Sequence, residues 1–188
     1  MHNHGMFEID PTDSLLLTGL GPIGHLSQPP LLGMRGIEVR KGSGQQGYFE
    51  VRIVHALSAD GSSKSFIGLT INDVLLPVPG FRPRHWNDYN DWLGGDQPTY
   101  AWRHDGWIFT PDGFKGDNCC ALRFKTGDVV GLMVDCVEMP TLRFFLNGEL
   151  VHQLGLLQEI YGSVLYPAFF LNFDQIHITS NPSLPIEF

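Results

Sequence analysis

Hydrophobic and polar residues alternate along most of this chain with the period of a β-strand, and helical spacing is nearly absent. In Tyr48 to Val54 (YFEVRIV), Phe49, Val51 and Ile53 fall on one face with Glu50 and Arg52 opposite, the pattern of a half-buried strand. Ser65 to Ile71 (SFIGLTI) predicts a second strand, and Asp60-Gly61 supplies a turn signal between the two. Two hairpins are written more strongly. Tyr100 to Thr110 turns at Asp105-Gly106, and Thr141 to Leu154 turns at Asn147-Gly148. Both dipeptides suit a type I′ turn, whose two central residues need positive φ. Leu142, Phe144 and Leu146 then share one face, while Arg143 and Asn147 take the other. Val129 to Val137 (VVGLMVDCV) is almost continuously apolar, so a central strand covered on both sides is expected. Val164 to Leu171 and Gln175 to Thr179 close the set. Pro167 is expected at an edge or a bulge, because proline cannot donate to a ladder. Only Leu154 to Ile160 has room for a turn or two of helix, limited by Gly155 and Gly162. The pattern predicts an all-β sandwich.

Between Val74 and Pro98 the alternation stops. VLLPVPGFRPRHWNDYNDWLGGDQP mixes prolines, glycines, aromatics and polar groups, and long segments without strand pattern are commonly functional. Gly19 to Gly36 is similarly irregular. With 188 residues the chain fits one domain, with a sandwich core over about 36–180 and residues 1–35 as an N-terminal extension packing on it. Apolar residues make up 43% and charged residues 17%, enough to build a core without disulfide or metal, while Gly 22 and Pro 13 match a fold rich in turns.

Charge narrows the functions. A net charge of −8 and the lack of any Lys/Arg-rich run disfavour nucleic acid and anionic membranes as partners. Cys119, Cys120 and Cys136 form no CxxC pair and their odd number fits a reduced chain, so a cytoplasmic or nuclear location is expected, the cytoplasm first. Met1 to Gly5 lacks the basic-then-apolar order of a signal peptide.

Catalytic and metal readings each have a simpler competitor. His104-Asp105, near Asp88 and Asp91 in sequence, could pair as acid and base, yet Asp105 is already explained as a turn residue. Asp128 follows Gly127 in a turn, where its carboxylate serves to bond nearby backbone N–H groups. His2 and His4 lie on a terminal stretch, and Asp88, Asn90 and Asp91 lack the Glu of a Ca²⁺ loop. No metal site, no catalytic site and no cofactor are expected. Two binding readings remain. Trp86, Tyr89, Trp92 and Asp96 could stack on a sugar, as in a lectin. Alternatively Arg82, Arg84, Trp86, Tyr89 and Trp92 form the Trp/Tyr/Arg-rich composition of protein-binding hot spots. Trp86 and Trp92 either plug the end of the sandwich or face a partner. Trp102 and Trp107, inside hairpin strands, read as core.

Several of these segments together resemble one family. Tyr48 to Ile53, Ser65 to Leu69, Tyr100 to Gly106, Gly127 to Gly131 (GDVVG), Thr141 to Gly148 (TLRFFLNG) and Leu165 to Ala168 (LYPA) are similar, in order, to the conserved elements of SPRY domains. The resemblance covers about residues 47–180. Pro140 departs from it, standing where a glycine or acidic turn is usual, and the 74–98 segment is richer in proline and aromatics. The resemblance implies a bent sandwich of two antiparallel sheets that acts as a non-catalytic protein-interaction module, an adaptor or recognition part of a larger assembly. It also implies that loops at one rim bind a peptide or protein partner. Carried to this chain, those loops place Arg35, Tyr89, Trp92, Leu93, Gly94, Asn172, Phe173 and Asp174 around one pocket.

Overall fold

The computed structural model describes residues 7–9, 12, 16–19, 36–55, 65–71, 99–110, 123–171, 175–179 and 182. The Asp60-Gly61 turn, Cys119, Cys120 and most of the irregular segments, 20–35 and 72–98, lie outside the described residues, as do His2, His4, Asp88, Asn90 and Asp91.

Twelve strands are described. They are β1 (Phe7–Ile9), β2 (Leu16–Gly19), β3 (Ile37–Glu38), β4 (Gln46–His55), β5 (Phe66–Thr70) and β6 (Thr99–Arg103), followed by β7 (Ile108–Phe109), β8 (Val129–Asp135), β9 (Thr141–Leu146), β10 (Glu149–Gly155), β11 (Val164–Phe170) and β12 (Gln175–Ile178). They form two antiparallel sheets, one ordered β1-β2-β12-β4-β8-β9-β10 and the other β3-β11-β5-β6-β7. The described helical content is one 3-10 turn, Gln158–Ile160, smaller than the turn or two that the sequence allowed.

The alternation places the core where the pattern predicted it. Phe49, Val51 and Ile53 of β4 meet Val130, Leu132 and Val134 of β8 and Leu142 and Phe144 of β9 on the inner face of the larger sheet. Against them stand Ile67 and Leu69 of β5, Tyr100 and Trp102 of β6, Ile108 of β7, and Leu165 and Phe169 of β11. Trp102 is fully buried, with the rings of Phe124 and Phe144 edge-on to it at 5.6 and 6.0 Å. One polar tie also crosses the interior, because the Leu157 backbone N–H donates to the Tyr100 hydroxyl over 3.0 Å. β8 is central and buried along almost its whole length, as its apolar run implied. Buried Cys136 follows it, its thiol pushed above the ordinary value chiefly by burial, so the unreactive protonated form is held.

Pro167 pairs with Leu69 on β5, while β3 on the other side pairs only as far as Leu165. Its missing N–H therefore falls where the strand has no further described neighbour, a local edge inside the sheet. Both predicted hairpins form, with different turns. Asn147 and Gly148 have φ of 54° and 84°, the left-handed pair that a type I′ turn requires. At the other hairpin, only Gly106 has positive φ (99°). There the Gly106 N–H donates to the Arg103 carbonyl (2.9 Å) and the Arg103 N–H to the Trp107 carbonyl (2.8 Å). The loop thus holds three residues, His104 to Gly106, and a two-residue type I′ turn is corrected to a turn plus one left-handed glycine. The extra residue lets the Asp105 carboxylate reach back to the Arg103 Nε, 2.6 Å away.

Asp128 does what a turn carboxylate was expected to do: it accepts the Lys125 backbone N–H (2.8 Å) and the Asn147 Nδ2 (3.0 Å). Asn147 Oδ1 in turn accepts the Val129 N–H at 2.9 Å, joining the entrance of β8 to the β9–β10 turn.

Candidate functional site

All eight predicted rim residues, Arg35, Tyr89, Trp92, Leu93, Gly94, Asn172, Phe173 and Asp174, lie outside the described residues. Their flanking residues are described. Gly36, next to Arg35, packs so close to β11 that a Cβ on it would stand 2.3 Å from Val164 Cγ1 and 2.6 Å from Tyr166 Cε1. Tyr166 pairs with Thr70, and Thr70 with Thr99, so the residues around the 72–98 segment leave and rejoin the smaller sheet in that same row. Leu171 precedes 172–174 at the other end of β11, where Phe170 pairs with Phe66 and Phe66 with Arg103. The two rows are four residues apart on β11, about 13 Å at strand rise. Gln175, after that connection, pairs with His55 at the end of β4.

The row at the Leu171 end carries a built feature on the outer face of the smaller sheet. Strand pairing sets Ala101 of β6 against Phe109 of β7, and Arg103 of β6 against Phe66 of β5. Side chains of these out-facing positions gather into a second apolar cluster of Phe66, Ala101 and Phe109, with the half-buried Trp107 packed on it. Phe66 and Phe109 meet edge-to-face at 5.3 Å. The Arg103 guanidinium lies over this cluster, 5.4 Å from the Phe109 ring centre and 6.0 Å from those of Phe66 and Trp107. Each ring offers its negative face to the cation.

Asp105 completes the arrangement. Its ion pair with Arg103 is largely enclosed, at 13% and 22% side-chain exposure, so solvent screens it less than an open surface pair. Burial alone would raise the Asp105 carboxyl. The hydrogen bond and charge of Arg103, the His104 charge and the Trp107 backbone outweigh burial and hold it below its ordinary value. A carboxyl with a depressed folded value contributes stability that is present above the unfolded value and lost as pH falls through the folded one. The stability difference between the wild type and Asp105→Asn, measured by urea unfolding from pH 7 to pH 2, is therefore expected to shrink below about pH 4. A difference that holds constant to pH 2 would contradict the pairing.

Sequence reasoning missed this cluster. Trp107 was expected in the core, yet it packs on the outer group, while Trp102 takes the interior position. The signal was present in the period of two: with Trp102 and Ile108 inward, Ala101, Arg103 and Phe109 must face out. Asp105 proves to be engaged with Arg103 two residues before it. Among the described residues no group of three or more His, Cys, Asp or Glu side chains is placed to hold a metal ion.

Solved structures show what class of fold this geometry represents. The chain has the fold of a SPRY domain. It is similar to the SPRY domain of human HERC1, at 17% identity over 94% of each chain with a TM-score of 0.54. A human SPRY domain matches at 19% identity over 95% of this chain and 99% of that one, with a TM-score of 0.54. The TRIM65 PSpry domain matches at 12% identity over 94% and 86%, with a TM-score of 0.55. No protein-family model matches the chain. No curated protein matches it either.

Proposed function

We propose that this domain is a non-catalytic interaction module that binds a peptide or protein partner through loops at one rim, serving as an adaptor or recognition part in a cytoplasmic assembly. The observation that carries this reading is the SPRY-like sandwich itself, two rigid sheets whose strand ends are joined by long connections. Arg35, Tyr89, Trp92, Leu93, Gly94, Asn172, Phe173 and Asp174 form the proposed contact set. The 72–98 segment springs from the row opposite to Leu171. At up to about 3.3 Å per residue its reach is several times the 13 Å between rows, so one pocket can draw on all three segments. Tyr and Trp there supply rigid contact area, and Gly94 lets a ligand backbone approach closely.

The test is a random-peptide display selection on the intact domain, repeated on Tyr89→Ala/Trp92→Ala. Peptides enriched by the wild type are expected to bind the double variant at least about tenfold more weakly, as for loss of a hot spot. Its thermal midpoint should stay nearly unchanged, as for surface substitutions. A collapse of the midpoint would make those rings part of the core and remove them from the site.

A further inference from the structure

We infer that Arg103 and Trp107 form a receptor for a single carboxylate, supplied by an acidic side chain of a protein partner, on the outer face of the smaller sheet. Arg103 carries five N–H donors in a planar fork. Among the described residues its one hydrogen bond is from Nε to Asp105, and its other contacts are the three ring faces of Phe66, Trp107 and Phe109. Among the described residues the four N–H groups on Nη1 and Nη2 thus meet no acceptor, on a side chain that keeps 13% of its surface in contact with solvent.

A pin for the β6–β7 turn needs only the Nε contact. The rings and Asp105 do more: they fix the plane of the fork and remove most of the rotamer freedom an arginine loses on binding. A fork held in this way matches the two oxygens of a carboxylate, and charge-assisted pairs of that geometry are the strong ones. The half-buried Trp107 ring borders the fork and offers apolar area beside it. With 20 acidic residues against 12 basic ones, the general field of this chain repels carboxylates, so capture of one must come from a local device. This site shares no residue with the proposed rim, and a capped peptide reads it directly, so its failure leaves the rim reading untouched.

The probe is a capped Gly-Glu-Gly peptide, with capped Gly-Gln-Gly as control, titrated into the ¹⁵N-labelled domain at low salt. The Arg103 Nε–H and Trp107 indole N–H signals are expected to shift saturably with the glutamate peptide and not with the glutamine one. Arg103→Lys, which keeps the charge and loses the fork, should weaken binding about tenfold. Asp105→Asn keeps an acceptor for Nε and removes the internal competitor, so it should bind the glutamate peptide more tightly. A purely structural role for Arg103 would not produce that gain. Equal shifts with both peptides, no gain in Asp105→Asn, or stronger binding of inorganic phosphate than of the glutamate peptide would overturn the assignment.

Discussion

Replacing Phe144 by alanine is expected to lower the unfolding free energy by about 3–5 kcal/mol, the cost of a large core truncation whose cavity collapses poorly. Phe144 is fully buried on the inner face of β9, edge-on to Trp102 at 6.0 Å and tilted against His152 at 5.9 Å. Its neighbours belong to both sheets, so no single strand can move in to fill the space. Urea unfolding should show a lower midpoint with the same slope, the sign of lost stability rather than a changed unfolded state. Leu150→Ala is the contrast, since Leu150 is 48% exposed on β10 and should shift stability by no more than about 0.5 kcal/mol. Comparable losses at both positions would mean that the sheets do not close on Phe144.

Gly68→Ala is expected to cost a comparable amount for the opposite reason. A Cβ at Gly68 would stand 2.2 Å from the Tyr100 carbonyl oxygen and 2.8 Å from Ala101 Cα. Both are backbone atoms of the paired strand β6, so relief requires β5 and β6 to separate, which breaks their ladder. We expect a loss of about 3 kcal/mol or more, the upper part of the range for overpacking, or about 6–12 °C in the thermal midpoint. Gly155→Ala is the matching control, because a Cβ there meets no atom within 4 Å. If Gly68→Ala unfolds with the wild-type midpoint, β5 and β6 are not packed as closely as described.

How much of this could be read from the residues differs by element. β4, β8 and the β9–β10 hairpin were legible because one face is buried and the period of two is uninterrupted, and because Asn147-Gly148 is chemically suited to two left-handed residues. The Asp105-Gly106 hairpin was legible as a hairpin but not in its turn. An ion pair between residues two apart, Arg103 and Asp105, accompanies the longer loop, and propensity does not weigh such a contact. β2 was hidden: the run Leu15 to Leu17 shows no alternation, and of its two neighbours β12, which ties it to the sheet, is more than 150 residues away. Such non-local pairing leaves no local mark. The aromatic bed of Arg103 is assembled from β5, β7 and the residue before β7, and its members become neighbours only once the register is known. Of the rim residues, Tyr89 and Trp92 were marked by composition as well as by family resemblance, and the rest by resemblance alone, since no periodicity governs an irregular connection.

The position of β12 has a consequence for how the molecule comes into being. It lies between β2 and β4, and its Gln175 Nε2 donates to the Thr18 hydroxyl across 157 positions of sequence. As synthesis proceeds from the amino end, the neighbouring edges of β2 and β4 stay vacant until residues 175–178 have emerged. Closure of this sheet is then gated by β12, and the nascent domain carries sticky, unmatched ladders until that strand arrives.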